Sequence, residues 1–494
     1  MIPVLLTDRA SRLPALGLLG SLLMTAASFG AGATPAADTD ETRFAEQFTD
    51  LGYALGVVGW FAGGALLAVA WWRLGRVVRA GGTSDRQLRR TAILWAVPFL
   101  FSAPAGSRDI YAYALQGLLY TNGFDPYAVG PAALASPWLP AMSEFWLHTP
   151  TPYGPLGVLL SGASALLSGG HLIVALFWLR LSALLGVVLT AIYLPRLARI
   201  CGADPAVAGW LGVASPLVSV HLLSGAHHDA LTLGLLIAGL DLAARRRGWP
   251  AGVALGLAAA VKATAIIVWP FAAVLAAAAF AGRWRIGRGA VVVVLPAVAV
   301  FVALSVAGDL GPGWLRAAPG PHSVVHWLSV PTAFGLVLGG LADLAGFPHA
   351  PETVVPAVRI AAWYALLPIV LVVLWWRVRH SIDPRRIVTA AGYALAAAVL
   401  LSPLVYPWYY VAPIAVLAAV TDQPRVRVAL GAIVVFGVFI VLPDGINLAH
   451  VTKWPGAVLE VVAVIAAAVL LRAERQPVSR AASPGRASSR RPPA

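Results

Sequence analysis

A carboxylate and a guanidinium stand side by side at residues 108 and 109, and tyrosines follow at close spacing. The run is Ser107-Arg108-Asp109-Ile110-Tyr111-Ala112-Tyr113, and it follows an apolar stretch over 91–103. A carboxylate can take the proton of an attacking hydroxyl group, so Asp109 is a candidate general base. The alternative is that Asp109 only caps the helix that follows it.

A second polar cluster, His227-His228-Asp229, lies between two apolar segments. Its functional interpretation is ligand binding. The structural alternative is that Asp229 is the N-cap of the next helix. Two adjacent histidines with one carboxylate are a weak ligand pattern for a metal ion. We therefore predict no metal site and no cofactor.

A single cation, Lys262, interrupts the apolar run over 253–270. A lysine at membrane depth is costly and commonly functional, and here it could hold a phosphate as a point charge. The alternative is a lysine that extends its amine to the lipid headgroups. No acidic residue lies near Lys262 in sequence, so its partner comes from elsewhere in the chain or from an anionic ligand.

The elements that position these groups are apolar helices. The chain has 494 residues, of which 59% are hydrophobic and only 11% charged, and runs of membrane-spanning length recur along it. This pattern predicts an all-α polytopic membrane protein with about 12 to 14 transmembrane helices. The only cysteine is Cys201, which excludes an intramolecular disulfide and any cysteine-cluster metal site.

The net charge of +14 is distributed in a way that argues against nucleic acid as a partner. Of the 35 lysines and arginines, 28 fall in short segments between apolar runs that are poor in acidic residues. The positive-inside rule assigns these segments to the cytoplasm. They are 1–12, 73–90, 195–205, 245–249, 281–288, 377–386, 421–427 and 472–494. The large loops over 104–152 and 308–353 are then external. A shorter apolar run, 153–168, follows the first loop, and another, 330–344, lies inside the second. We predict both runs to be re-entrant or interfacial helices.

Three regions follow from this organisation. Residues 1–90 contain N-terminal spans and a basic cytoplasmic loop, and the segment 13–33 is either an uncleaved span or a signal peptide. Residues 91–471 form the transmembrane catalytic domain, in which 250–280 goes out and back with Lys262 near the outer turn. Residues 472–494 are rich in Arg, Ser and Pro and are predicted to be a disordered basic cytoplasmic tail.

The chemically interesting motifs resemble those of a known family. They lie at 107–113, 116–117, 123–127, 153–155, 225–230, 262–265, 324–327 and 401–409. In this order they are similar to motifs of the actinobacterial polyprenol-phosphate-mannose-dependent α-(1→6)-mannopyranosyltransferases, of the C-type glycosyltransferase superfamily. The resemblance covers about residues 90–475. His228 departs from the pattern, because Asn often precedes the corresponding aspartate.

The resemblance implies a C-type glycosyltransferase fold in the plasma membrane, with the active site on the external face. It implies inverting transfer of mannose from polyprenyl-phosphate-mannose to a mannan or lipoglycan acceptor, without metal or cofactor. Asp109 would be the general base and Lys262 the ligand of the donor phosphate. The positions implied in substrate binding are Arg108, Tyr111, Gln116, Asp125, Tyr127, Tyr153, His227, His228, Asp229, Lys262, His326, Trp327, Tyr406 and Trp408.

Two other classes of function are compatible with a polytopic chain. A transporter or lipid flippase would place polar groups at mid-membrane and often shows inverted repeats. In this sequence the polar clusters fall in external segments and no repeat is visible. A non-catalytic scaffold or lipid-binding subunit would tolerate Asp109→Asn without loss of function.

Overall fold

The computed structural model describes residues 12–35, 44–317 and 324–475, and these residues form helices and connecting loops without a β-strand. The principal helices are α1 (Leu13–Ala31), α2 (Leu51–Arg79), α3 (Asp85–Leu100), α4 (Asp109–Thr121), α5 (Pro155–Leu167), α6 (Leu172–Ile200), α7 (Asp229–Ala244), α8 (Gly248–Val261), α9 (Trp269–Ala277), α10 (Arg285–Ala307), α11 (Val330–Leu344), α12 (Ala350–Val378), α13 (Pro384–Leu400), α14 (Pro424–Phe439) and α15 (Lys453–Arg475). Shorter helical segments are Phe44–Gln47, Pro131–Ala133, Leu139–Ala141, Glu144–Leu147, Pro205–Gly212, Val218–Ser224, Ala263–Val268, Trp314–Ala317, Pro407–Tyr410, Val411–Ala418 and Leu448–Val451.

The prediction of an all-α polytopic membrane protein is confirmed. Six of the described helices are long and apolar enough to cross a membrane, namely α1, α2, α6, α10, α12 and most of α15. Shorter apolar helices lie between them, including α5, α8 and α11. The number of crossings depends on which of these shorter helices traverse the bilayer, so the count of about 12 to 14 stays a prediction. Helix α15 continues to Arg475, and residues 476–494 of the predicted tail 472–494 lie outside the described part, so the disordered tail stays a prediction.

Helix α1 is packed into the rest of the molecule. It lies along α2 so closely that a Cβ on Gly20 would come within 2.7 Å of the Gly63 carbonyl oxygen. Small residues permit such close helix approach inside membranes. The Ser28 hydroxyl also accepts a hydrogen bond from the Ala103 backbone N–H, at 3.0 Å. These contacts make α1 a packing partner of α2 and of the chain beyond α3, and the choice between an uncleaved span and a signal peptide for 13–33 stays a prediction.

The segment around Lys262 reverses direction, as the sequence predicts. Gly248, at the start of α8, lies against Val292, and Ala277, at the end of α9, lies against Gly289. Both ends of the segment therefore pack near the beginning of α10. Lys262 itself is extended (φ −142°, ψ 119°) and interrupts the helix between them. The lysine thus marks the turn of a helical hairpin.

The predicted outward segment over 206–224 is not one continuous helix. Asp204 caps the helix Pro205–Gly212, which ends before Pro216, and the chain resumes as the wide helical turn Val218–Ser224. Proline lacks the backbone N–H that a continuing helix requires. The helix is therefore interrupted before the chain reaches the His227-His228-Asp229 motif.

The segments predicted to be cytoplasmic meet one another. Arg199 donates to Asp85 at 2.9 Å, and Arg385 forms a salt bridge with Asp422. Each of these pairs joins two predicted inner segments. The grouping supports the division of the loops into two sets, and the side of the membrane on which each set lies stays a prediction.

Candidate active site

An open cleft lies where several of the predicted external segments converge. It encloses about 710 Å³, including space open to solvent. The lining residues are Gly106, Ser107, Arg108, Asp109, Ser143, Phe145, Trp146, Val324, His326, Tyr406, Trp408, Val441, Asp444, Gly445, Ile446, Asn447 and His450. They come from both the N-terminal and the C-terminal halves of the chain, so the cleft forms only when the two halves pack together.

One wall is built by two loops that are far apart in sequence. The Gly106 backbone N–H donates to the Pro443 carbonyl oxygen at 2.9 Å. Gly445 has a φ of +100°, and a Cβ there would lie 3.2 Å from the Ser107 Cα. Glycine is favoured at Gly445 both by this left-handed backbone and by the close approach. The loop that precedes Asp109 is therefore held by the loop that follows α14.

Arg108 fixes the other side of the same loop. Its Nη1 donates to the carbonyl oxygens of Thr34 at 3.2 Å and of Ala141 at 3.0 Å. The side chain therefore ties the end of α1 to the external loop while it also lines the cleft. Its positive charge opposes the effect of burial, which raises the pKa of Asp444.

Asp109 begins α4 and presents its carboxylate to the cleft with 14% of the side chain exposed. Its Oδ1 accepts a hydrogen bond from Nε1 of Trp146 at 3.1 Å, and its Oδ2 lies 3.5 Å from Nδ1 of His227. Burial raises the pKa of Asp109 to about 6, and the hydrogen bond from Trp146 opposes that rise. A carboxylate of this kind is ionised at neutral pH and is a stronger base than an ordinary aspartate.

His227 supports Asp109 from the protein side. Its Nδ1 also lies 3.1 Å from the Tyr113 hydroxyl, which in turn lies 3.1 Å from the Tyr153 hydroxyl. Burial lowers the pKa of His227 well below its usual value, so the ring is neutral. Its Nε2 has no hydrogen-bond partner within the described residues. A buried N–H without an acceptor is rarer than an unused lone pair, so we place the proton on Nδ1, where Asp109 and Tyr113 can share it.

The histidine motif is held by ring stacking on both sides. His227 stacks on Trp408 with 3.8 Å between ring centroids, and His228 stacks on Tyr113 at 4.1 Å. Ala226, which precedes them, has a φ of 47°, an unfavourable value for a residue with a side chain. Strain of this kind is kept where the surrounding structure enforces it, commonly at functional sites.

Lys262 has a partner that its sequence neighbourhood does not show. Its Nζ lies 2.7 Å from Oδ1 of Asp229, and each of the two side chains is 15% exposed. The amine also lies over the ring of Tyr409, 4.1 Å from the centroid. The sequence left open whether the partner of Lys262 is a residue of the chain or an anionic ligand. In the structure the partner is a residue of the chain, Asp229. The pair is close enough to Asp109 for both charges to influence its pKa.

Ten of the fourteen residues expected in substrate binding do not line the cleft. Five of these ten have their contacts described above, and they are Tyr153, His227, His228, Asp229 and Lys262. The other five make contacts elsewhere. The Tyr111 hydroxyl donates to the Ala33 carbonyl oxygen at 2.6 Å, and Gln116 accepts from Thr151 at 2.9 Å. The Asp125 carboxylate accepts a hydrogen bond from the Tyr127 backbone N–H, and the Tyr127 side chain packs beside Val158 and Leu310. The Trp327 indole donates a hydrogen bond to Thr452. Their contacts hold the loops and helices that surround the cleft.

The cleft also contains residues that the sequence interpretation missed. Asp444, Asn447 and His450 come from the loop and short helix after α14, and Trp146 comes from the external loop. The polar run from Asp444 to Asn447, between two apolar helices, was a usable signal.

No group of three or more His, Cys, Asp or Glu side chains in the described ranges is arranged to hold a metal ion. The arrangement that is present is a basic carboxylate on the wall of a polar and aromatic cleft, with a neutral histidine behind it. It can take a proton from a hydroxyl group bound in the cleft.

Comparison with known proteins gives the family of the chain. The model of the α-(1→6)-mannopyranosyltransferase N-terminal domain matches residues 14–278, and the model of the MptB C-terminal domain matches residues 331–472. α-(1→6)-Mannopyranosyltransferase A of Mycobacterium tuberculosis is 33% identical over 443 residues, which cover 87% of this chain and 84% of the relative. α-(1→6)-Mannopyranosyltransferase A of Corynebacterium glutamicum is 32% identical over 437 residues, which cover 82% of this chain and 88% of the relative.

No solved structure matches the chain. The first family match spans more than half of the 494 residues, and the second covers most of the rest. The protein is therefore an enzyme of the α-(1→6)-mannopyranosyltransferase family.

Proposed function

We propose that this enzyme transfers mannose from polyprenyl-phosphate-mannose to a mannan or lipoglycan acceptor at the external face of the plasma membrane. The new bond is an α-(1→6) linkage formed with inversion. Family membership supports the sugar and the linkage, because the relatives carry both in their names. The lipid-linked donor is supported by the motif resemblance and by the many apolar helices along which a lipid tail could lie.

The observation that carries the proposal is the position of Asp109. It is the carboxylate of the motif resemblance, it lies on the cleft wall, and burial raises its pKa to about 6. Two hydrogen-bonding side chains, Trp146 and His227, flank its two oxygens. A base whose pKa lies near the operating pH is ionised in a large share of the molecules and still has a useful affinity for a proton.

The reaction is a single displacement. The 6-hydroxyl oxygen of the acceptor attacks C1 of the donor mannose and forms the new C–O bond, while Asp109 takes the hydroxyl proton. The bond from C1 to the phosphate oxygen breaks, and its electron pair leaves with the lipid phosphate. Inversion requires the base to lie on the face of the sugar opposite the leaving group.

The departing phosphate gains negative charge, and positive charge nearby would stabilise the transition state. Lys262 is the proposed ligand of the phosphate, although its amine already contacts Asp229 and would have to be shared. Arg108 is a second cation for this role, because its side chain lines the same cleft as Asp109. Neither role needs a metal ion.

Membranes that contain the enzyme test the proposal when they are supplied with radiolabelled polyprenyl-phosphate-mannose and a short α-mannoside. We expect a labelled product that an α-(1→6)-specific mannosidase degrades. Asp109→Asn should reduce transfer by about 10²-fold or more. Glu144→Gln, an exposed carboxylate of the same loop, is the matched control and should retain activity.

Two results would contradict the proposal. One is near-normal turnover by Asp109→Asn. The other is movement of the labelled lipid across sealed vesicles without any sugar transfer, which would favour a flippase. A membrane-impermeant acceptor placed on one side of sealed vesicles tests the external location.

A further inference from the structure

His326 is a buried side chain whose polar atoms are unused. The residue is 1% exposed, and neither ring nitrogen has a hydrogen-bond partner in the described part of the chain. The side chain nevertheless lines the cleft that contains Asp109. Its ring lies 5.4 Å from that of Tyr406, in an edge-to-face arrangement. Burying polar groups without partners is costly, so a ligand that supplies partners would bind with advantage here.

The charge state of His326 narrows the chemistry of that ligand. Burial lowers the pKa of His326 to about 3, and the neighbouring His450 and Arg359 side chains act in the same direction. The ring is therefore neutral, with one N–H donor and one acceptor nitrogen. A hydroxyl group is also both donor and acceptor. An anionic phosphate would instead favour a protonated ring.

Asn447 presents a second unused donor to the same cleft. Its Oδ1 accepts the Ala449 backbone N–H at 2.9 Å and caps the short helix Leu448–Val451. Its Nδ2 has no partner within the described residues, and the residue is 4% exposed. The amide is fixed by its capping bond, so its N–H groups are held in place rather than free to turn away. Buried donors without partners at two places in one cleft indicate a polyhydroxylated neutral ligand.

We propose that His326 and Asn447 form the subsite that binds the hydroxyl groups of a mannosyl ring and presents that ring to Asp109. This inference depends on the proposed function and adds to it a specific location for the sugar. The ring can belong to the donor or to the acceptor, since both are mannosyl groups. The motif resemblance already implies His326 in substrate binding, and the inference adds the hydroxyl-binding chemistry of its ring and a second residue, Asn447, which lies outside the motifs of the resemblance.

The test uses two variants of the full-length enzyme. His326→Phe keeps a ring of similar shape and removes both nitrogens. Asn447→Ser keeps a capping oxygen and removes the amide donors. His171→Phe is the control, because His171 is exposed at the start of α6 and its side chain makes no capping bond.

We expect each variant to lower kcat/KM by about tenfold or more, as for the loss of one or two hydrogen bonds to a bound hydroxyl group. Rates measured against donor and acceptor separately show which sugar occupies the subsite, because only that substrate's KM rises. The thermal midpoint of His326→Phe should equal or exceed that of the wild type, because the change removes unsatisfied buried groups. Unchanged kcat/KM for both substrates in both variants would overturn the subsite.

Binding measurements separate failure of the subsite from failure of the proposed function. An inactive wild-type enzyme would refute the transfer reaction itself. Equilibrium binding of radiolabelled α-mannoside and of radiolabelled donor to purified protein still tests the subsite in that case. Weaker binding of either probe to His326→Phe than to His171→Phe supports the subsite, and equal binding of both refutes it.

Discussion

The indole of Trp146 is expected to set the pH at which the enzyme becomes active. Its Nε1 donates to Oδ1 of Asp109 at 3.1 Å, and this hydrogen bond favours the ionised carboxylate. Trp146→Phe keeps an aromatic ring on the short helix Glu144–Leu147 and removes the donor. The ionised form of Asp109 then loses a stabilising contact that the protonated form does not need. The pKa of Asp109 must therefore rise in the variant.

The size of the shift follows from the strength of the bond. A hydrogen bond to a charged group contributes about 1.5–3 kcal/mol. One pKa unit corresponds to about 1.4 kcal/mol, so the pKa should rise by about one to two units. The other groups that act on Asp109 stay in place, and they are Ser107, His227, Asp229 and Lys262.

The assay is the pH dependence of kcat/KM between pH 5.5 and 9, in the same membranes. In the wild type we expect activity to fall as pH decreases through about 6, where Asp109 gains a proton. In Trp146→Phe this acid limb should move up by about one unit or more. The variant should then approach wild-type activity near pH 9 and show about tenfold less near pH 6.

Two outcomes would refute this account of Trp146. A fall in activity by the same factor at every pH would mean that the indole only shapes the loop. An acid limb at the wild-type position would mean that the hydrogen bond does not act on the reacting base. Glu144→Gln is the control for disturbance of the short helix, and it should leave the acid limb nearly unmoved.

Four further predictions address the base, the cation, the metal and the topology. The pKa of Asp109 is raised from 3.8 to about 6, so its ionisation costs stability progressively as pH rises between these two values and fully above pH 6. Asp109→Asn should therefore raise the free energy of unfolding at pH 8 by at most about 3 kcal/mol, measured as a higher thermal midpoint, and this gain should vanish near pH 4. Lys262→Met should raise the donor KM and lower kcat. If the lysine only neutralises Asp229, adding Asp229→Asn to Lys262→Met will restore normal kinetics. If the lysine binds the donor phosphate, the double variant will keep the raised KM and the lowered kcat. Transfer should persist in EDTA, and activity that is lost and then restored by Mn²⁺ or Mg²⁺ would count against the metal-free reaction. On a cysteine-free background, single cysteines replacing Ala135 and Arg86 should react with an impermeant thiol reagent from opposite sides of the membrane, and labelling of both from outside would overturn the orientation.

Local sequence patterns predicted the helices well. Residues 330–344 were predicted with the boundaries that α11 has. The turn at Lys262 followed from basic segments on both sides of one apolar run. These successes share a cause, because hydrophobic length and flanking charge act over a few turns of chain.

The same local patterns could not predict contacts between segments that are distant in sequence. The pairing of Lys262 with Asp229 joins residues that are 33 positions apart in sequence, and the bond from Gly106 to Pro443 joins the two halves of the chain. Hydrophobic periodicity states which face of a helix is buried but not which neighbour covers it. Asp444 and Asn447 were missed for this reason, since their importance lies in what they face.

The C-terminal half of the enzyme therefore does more than anchor the protein in a membrane. The loop after α14 holds the Ser107–Asp109 turn through Gly106 and Gly445, and it brings Asn447 to the cleft. A base with a raised pKa needs burial, and 10 of the 17 residues that line the cleft beside Asp109 come from beyond residue 323. Loosening that loop would let water reach the carboxylate and bring its pKa back toward that of an ordinary aspartate. The basicity of Asp109 thus depends on the packing between the two halves as well as on its own neighbours in the N-terminal half.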